Sequence, residues 1–326
     1  MRAIVVNKFG GPEVLELAEV AEPVPGKGQV VIDVEAVDVL FLETQLRSGQ
    51  LTDAFDVRPP FVPGGAVAGR VWSVGPDVDT GLVSRRVAAR TAEYGGYAEQ
   101  AVAAVESTIP VPEELGLSTA ASLLHDGPTA LGLFDNAAIR QAERVLVTAA
   151  AGGLGLLLVQ LASAAGARVI GAARGGRKRD AVLSAGAHDV VDYSETDWLD
   201  RVRAITGGKG VDVVFDGAGG AIGSAAFAVT ARGGRFSAHG AASGDFAEID
   251  PDDVRRRDIT LRGIEQAQFA PAEARAMAER ALAYASSGRF RPLIGATFPL
   301  ADAARAHRAI EQREVLGKTL LTATAG

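Results

Sequence analysis

The sequence predicts an α/β protein of two lobes, a β-rich lobe and a doubly wound parallel sheet, and three observations carry that expectation. The chain has 326 residues, more than one hydrophobic core usually serves. Its texture changes near residue 120, from short β-rich runs broken by Gly and Pro to alternating helix and strand patterns. The run Val145-Leu-Val-Thr-Ala-Ala-Ala-Gly152-Gly153-Leu-Gly155 then leads into an apolar stretch over residues 154–165. Strand, tight turn and helix follow one another there as a pyrophosphate site requires.

Before the change in texture, residues 4–6, 30–34, 68–74 and 97–102 read as strands. The turns Pro23-Val-Pro25-Gly26 and Val62-Pro63-Gly64-Gly65 carry the Pro and Gly expected between antiparallel strands. After it, helices are expected over 118–134, 154–165, 178–185 and 222–230. Strands are expected over 145–148, 169–173, 190–193, 211–217, 235–238 and 259–263, enough for a doubly wound sheet. The tail holds a helix over 301–312 and a strand over 317–322, whose alternation suggests a return to the first lobe.

Composition narrows the function. With 48% hydrophobic and 22% charged residues the chain is ordinary globular material. A net charge of −7 without a large basic run argues against nucleic acid as the main partner. No run is both long and apolar enough to span a bilayer, the N-terminus reads as a strand rather than a signal peptide, and a cytoplasmic location is expected. There is no cysteine, which removes disulfides, thiol nucleophiles and cysteine-held metals from the argument.

In the turn at 149–155, glycines let the backbone pass close to phosphates, and the N–H groups and dipole at the helix start favour their charge. Residues 166–173 then read as the second parallel strand of a βαβ unit. At its end stand Ala172, Ala173 and Arg174, then Arg177, Lys178 and Arg179, where an NAD site would have an acidic residue. Four cations within six residues of an acidic chain suit a 2′-phosphate, so NADPH is the expected cofactor.

Nearly the whole length resembles the zinc-independent medium-chain dehydrogenase/reductases of the quinone oxidoreductase group that includes zeta-crystallin. The motifs that carry the resemblance include Leu46-Arg47-Ser48-Gly49, Phe61-Val-Pro-Gly-Gly-Ala-Val-Ala-Gly69, Gly95-Gly-Tyr-Ala-Glu99 and Ala149-Ala-Ala-Gly-Gly-Leu-Gly155. Further on come Gly186-Ala-His-Asp-Val-Val-Asp-Tyr193, Gly208-Lys-Gly-Val-Asp-Val-Val-Phe-Asp216, Gly233-Gly-Arg-Phe236 and Gly317-Lys318. The resemblance implies a GroES-like catalytic lobe over 1–120 and 288–326, a Rossmann lobe over 121–287, NADPH as hydride donor, and a homodimer. The superfamily's zinc enzymes use a cysteine and a Pro-Gly-His-Glu segment. This chain has Pro63-Gly64-Gly65-Ala66 and four scattered histidines, so no metal is expected.

By the same resemblance, Ala151, Gly152, Gly153 and Leu154 correspond to the pyrophosphate turn. Lys178 and Tyr193 match positions on the 2′-phosphate side, with Arg174 adding a cation. Thr129 corresponds to a threonine beside the nicotinamide ribose, Ala218, His239 and Gly240 fall where the nicotinamide half rests, and Lys318 matches a C-terminal position near the cofactor. In the substrate half, Leu40 replaces a common asparagine and Gln45 a common tyrosine. Phe55, in the stretch 50–60, is a candidate wall of the pocket. His125 and Asp126 are candidates for relaying a proton to the reduced acceptor, with Glu43 and Asp38 weaker candidates of the same kind.

Without zinc to polarise an alcohol, an already electrophilic acceptor is expected. Three functions remain compatible: NADPH-dependent reduction of a small-molecule quinone, NADPH-dependent reduction of an α,β-unsaturated carbonyl compound, and NADPH binding with little turnover, as in a sensor or structural protein.

Overall fold

The computed structural model describes residues 1–52, 55–91 and 94–323. Internal contacts divide it into two compact units. The first comprises residues 1–125, 278–288 and 292–326, the second residues 126–277 and 289–291.

The second unit is built on a six-stranded sheet. Its strands run in the order Asp189–Val191, Arg168–Ala172, Arg144–Val147, Val211–Asp216, Thr230–Ala238 and Thr260–Arg262, and every neighbouring pair is parallel. The inner strands read as continuous apolar runs because helices cover both faces of such a sheet. Leu146, Ile170, Val214 and Phe236 sit in one buried cluster with Trp198 and Val202. The strand order reverses between Arg144–Val147 and Val211–Asp216, the switch point beyond whose carboxyl ends ligands bind in doubly wound sheets. Arg144 fixes these two strands at their starts, its Nε and Nη2 donating to Asp212 at 2.9 and 2.7 Å.

The first unit holds a seven-stranded sheet around the long strand Gln29–Val39, which pairs antiparallel with Ala66–Val74, Gln100–Ala104 and Lys318–Thr322. The tail strand therefore joins this sheet, as its alternation suggested, and it also pairs in parallel with Ile294–Pro299. Ile32, Val34, Val67, Tyr97 and Leu321 lie in its core.

Several elements differ from expectation. The single helix expected over 118–134 is two, Leu117–Leu123 and Asp126–Ala137. Pro128 explains the break: inside a continuous helix its ring would clash with the carbonyl of Leu124 and remove a hydrogen bond. In the first turn of a new helix its missing N–H costs nothing. His125 is thereby set in the turn between two helices. Helices Phe41–Ser48, Trp198–Ile205, Pro251–Arg257 and Pro271–Ser286 had no counterpart in the sequence reading. For Pro251–Arg257 a signal existed, since Asp250 caps the helix by accepting from the Asp252 N–H at 2.9 Å and proline opens it. No helix among the described residues is long and apolar enough to cross a membrane.

Candidate functional site

The dinucleotide turn lies in the second unit. The chain leaves the strand Arg144–Val147, passes through Ala149 at φ 48°, and enters the helix Gly153–Ala164. Gly152 is the extended N-cap and carries no side-chain cap, so the first-turn N–H groups are open to an anion. A Cβ on Gly155 would lie 2.5 Å from the Ala149 carbonyl oxygen and 2.8 Å from the Ala150 Cα, so the close approach of turn and helix requires glycine. Ala151 is buried, Gly153 and Leu154 are half-buried, and Gly152 is exposed.

Arg174 follows the strand Arg168–Ala172 by two residues and is exposed, as are Arg177 and Arg179, while Lys178 and Tyr193 are half-buried. Asp192, which the sequence reading passed over, shapes this edge. Its carboxylate accepts from the Gly175 N–H at 2.7 Å and the Ser194 N–H at 2.9 Å. Burial works against its ionisation, but the bonds from Ser194 and Gly175 outweigh it and hold the carboxyl below the usual range. An uncapped helix start with exposed cations at the next strand end fits a dinucleotide bearing a 2′-phosphate.

At the carboxyl ends of Val211–Asp216 and Thr230–Ala238 the structure brings Ala218, His239 and Gly240 together. The Thr148 hydroxyl donates to Asp216 at 2.6 Å and accepts from the Gly217 and Ala218 N–H groups, both at 3.1 Å. Asp216 also accepts from Gly219 at 3.2 Å, so a buried Thr–Asp pair holds the whole 217–219 turn. Gly240 packs on the Gly217 backbone too closely for any Cβ, and its N–H donates to the Asp216 carbonyl at 3.0 Å. His239 Nδ1 lies 3.1 Å from the Ser237 hydroxyl, and burial pushes its pKa down to about 4, so the ring is neutral near pH 7. Thr129 sits half-buried in the helix Asp126–Ala137.

The substrate-half candidates gather in the first unit. Leu40, Phe55 and His125 line a cavity of about 630 Å³ together with Glu43, Arg90 and Tyr94. Gln45 is on the helix Phe41–Ser48 but is not among the lining residues, whereas Leu42, Glu43 and Leu46 are. At about 100° per residue, positions 42, 43 and 46 share an arc of the helix whose centre lies about 110° from 45. The stretch 50–60 contributes Phe55 and Val57 to the wall, while Asp53 and Ala54 lie outside the described residues. Asp126 opens the first turn of the helix Asp126–Ala137, in the second unit.

Two polar networks stand behind the cavity. Buried Glu43 accepts from the Leu40 and Gly65 N–H groups, both at 3.1 Å, and from the Tyr97 hydroxyl at 2.6 Å. Burial nevertheless raises its pKa to about 7. Tyr97 Oη lies 2.9 Å from His307 Nε2, and burial pushes the pKa of His307 down to about 3. Arg47, only 2% exposed, is ion-paired with Glu311 beside this network. In the second network Lys318 Nζ lies 2.8 and 2.9 Å from the two oxygens of Asp38, both residues being buried. His125 Nδ1 lies 3.6 Å from Asp38 Oδ2. Lys318, expected near the cofactor, thus has its ammonium in a buried ion pair.

A zinc ion finds no matching donors among the described residues. Among the described residues no group of three His, Cys, Asp or Glu side chains is arranged to hold a metal. Gly65 stands in the segment that carries histidine in zinc enzymes, and a Cβ there would lie 3.4 and 3.5 Å from the Cε1 and Nε2 of His125. Tyr97, His307, Thr148 and Asp192 escaped sequence reading because each acts through a partner distant along the chain or through backbone N–H groups. Only the buried-looking Asp and Glu inside apolar runs gave a signal.

Comparison with known proteins follows the same division. Residues 26–113 match the alcohol dehydrogenase GroES-like domain, and residues 153–283 match the zinc-binding dehydrogenase family. A quinone oxidoreductase of Rattus norvegicus is 36% identical, the match covering 98% of this chain and 97% of that one. A 2-haloacrylate reductase of a Burkholderia species is 33% identical over 98% of both chains. The solved structure of a mycobacterial protein complexed with NADPH superposes with a TM-score of 0.90 at 35% identity, covering 99% of this chain and 100% of that one.

Proposed function

This chain belongs to the quinone oxidoreductase group of the medium-chain dehydrogenase/reductases, and from that membership we propose that it is an NADPH-dependent reductase of quinones. The observation that carries the cofactor is the uncapped helix start at Gly153 beside the exposed cations Arg174, Arg177 and Arg179. Bound NADPH would supply a hydride to the acceptor. The N–H groups of residues 153–155 would hold the pyrophosphate, Arg174 and Lys178 the 2′-phosphate, and the Thr148–Asp216 pair would fix the 217–219 turn near the nicotinamide. A cavity with Leu40, Phe55 and Phe61 in its wall, beside the polar groups of Tyr94, His125 and Arg90, offers apolar surface to a flat conjugated acceptor.

A second reading, reduction of an α,β-unsaturated carbonyl compound, is favoured by Arg58 and Arg90 in the same wall, which would seat a carboxylate. Stopped-flow oxidation of NADPH with a benzoquinone, a 2-alkenal and 2-chloroacrylate separates the two. The quinone is expected to be turned over fastest; a preference for 2-chloroacrylate that Arg90→Ala abolishes would select the second. Because no donor set for zinc stands among the described residues, dialysis against a chelator is expected to leave the rate unchanged.

The same reading includes a cytoplasmic location, where NADPH is maintained as a reductant, and assembly as a homodimer. Assembly is supported by the outer strand Thr260–Arg262, which ends the parallel sheet with all three residues exposed, Leu261 at 39%.

A further inference from the structure

We propose that Glu43 is the positioning residue of the acceptor cavity, its carboxylate pinning the start of the helix Phe41–Ser48 to the turn at Gly65 so that the wall keeps its shape. The inference rests on the reading that the acceptor occupies the cavity of the first unit. Leu40, Glu43, Gly65 and Thr91 all line that cavity. Glu43 is the third residue of its helix, and its Oε2 accepts from the Leu40 N–H at 3.1 Å, as acidic side chains do at helix starts. Its Oε1 accepts from the Gly65 N–H, also at 3.1 Å and 22 positions along the chain. The Gly65 carbonyl in turn accepts from the Thr91 N–H at 3.2 Å. One side chain thus ties three stretches of wall together, and an apolar residue in its place would leave two N–H groups unpaired.

Tyr97 completes the pin. Its hydroxyl donates to Oε2 at 2.6 Å and lies 2.9 Å from His307 Nε2, so the carboxylate accepts three bonds while only 3% exposed. Hydrogen bonds to an ionised acceptor are about twice as strong as neutral ones, so the pin is firm as a carboxylate and loosens when it takes up a proton. Burial brings that change close to neutral pH, raising the pKa of Glu43 to about 7.

The groups that face Glu43 come from several elements. Arg47, on the same helix, is paired with Glu311 of the helix Ala303–Glu311, which also carries His307. Asp38, on the strand Gln29–Val39, is paired with Lys318 and adds to burial in raising Glu43, whereas the Tyr97 hydroxyl lowers it. Burial keeps His307 neutral near pH 7 and the phenols of Tyr94 and Tyr97 protonated there, so these three hold their charge while Glu43 changes. Asp56, Arg58, Arg90 and His125 stand elsewhere in the cavity wall.

The test uses the full-length protein with saturating NADPH, and measures kcat and KM for a benzoquinone from acid to alkaline pH in wild type, Glu43→Gln and Tyr97→Phe. In wild type, KM is expected to rise by about 10-fold as pH falls through the titration of Glu43, with kcat within about threefold. Glu43→Gln, neutral at every pH and turning an amide N–H toward one of the donors, is expected to hold KM at that raised value throughout, with NADPH affinity unchanged. Tyr97→Phe keeps both backbone bonds but loses the one that lowers the pKa of Glu43, so the rise in KM is expected to begin at higher pH. A flat wild-type KM, a transition that persists in Glu43→Gln, or a loss confined to kcat would overturn the role. Thermal unfolding establishes that each variant is folded; if Glu43→Gln is not, Tyr97→Phe decides, and a transition left in place or moved to lower pH rejects the pin. If wild type oxidises no NADPH with any acceptor, the reductase reading falls and takes this role with it. If wild type turns over and both variants match it, only the pin falls.

Discussion

Arg174 follows the strand Arg168–Ala172 and Lys178 lies in the first turn of the next helix, and on the proposed NADPH reading cofactor choice is expected to hinge on them. A charge-assisted hydrogen bond contributes roughly 1.5–3 kcal/mol, or about 10- to 100-fold in affinity. Arg174→Ala with Lys178→Ala is therefore expected to weaken NADPH by at least that factor while leaving NADH little changed, measured by fluorescence titration of both. Buried titratable groups make a second prediction at this scale. Glu43 has a folded pKa of about 7 against an ordinary value of 4.5, so the native state binds the extra proton and its contribution to stability falls as pH rises between those values. His239 and His307, lowered from 6.5 to about 4 and about 3, act oppositely: the unfolded state binds their protons, and stability is lost as pH falls below 6.5. Asp216, whose pKa burial also raises, acts in the same direction as Glu43. Urea unfolding between pH 4.5 and 6.5 is expected to show a slope of stability against pH that is more positive in Glu43→Gln, which removes one of the opposing groups, than in the wild type.

At the scale of elements, the strand–turn–helix over 144–164 was legible because its chemistry is local. Small residues, a buried strand and a helix start follow each other directly, and the glycine requirement can be checked atom by atom. Gly155→Ala would place a methyl 2.5 Å from the Ala149 carbonyl oxygen, whereas a Cβ on Gly176 meets nothing within 4 Å. Thermal unfolding should separate them: Gly155→Ala is expected to cost about 1–3 kcal/mol and to lose the shift that NADPH confers, and Gly176→Ala to do neither. What could not be read has a common physical cause. The break before Asp126 depends on one proline overriding a long helical pattern, and the helix Phe41–Ser48 is short and mixed in hydropathy. The Glu43–Tyr97–His307 network joins residues 54 and 210 positions apart, and Asp38–Lys318 spans 280. Periodicity carries no information about such pairs; only the sheet, by pairing the tail strand with Gln29–Val39, makes them neighbours.

For the whole molecule, the sheet of the second unit ends in an exposed strand, and assembly of two copies would cover it. Leu261→Asp is expected to shift sedimentation from dimer to monomer, and an unchanged sedimentation coefficient would remove that edge as the contact. The central claim, however, is that a dinucleotide turn, in a chain with no metal-holding cluster among its described residues, serves reduction of a conjugated acceptor. Its most direct test is an anaerobic stopped-flow experiment in which protein preloaded with NADPH is mixed with a benzoquinone and the loss of NADPH absorbance is followed. The account predicts rapid, chelator-insensitive oxidation of one NADPH per quinone. Tight NADPH binding with no oxidation by any quinone or unsaturated carbonyl compound would contradict it and leave a dinucleotide-binding protein without turnover.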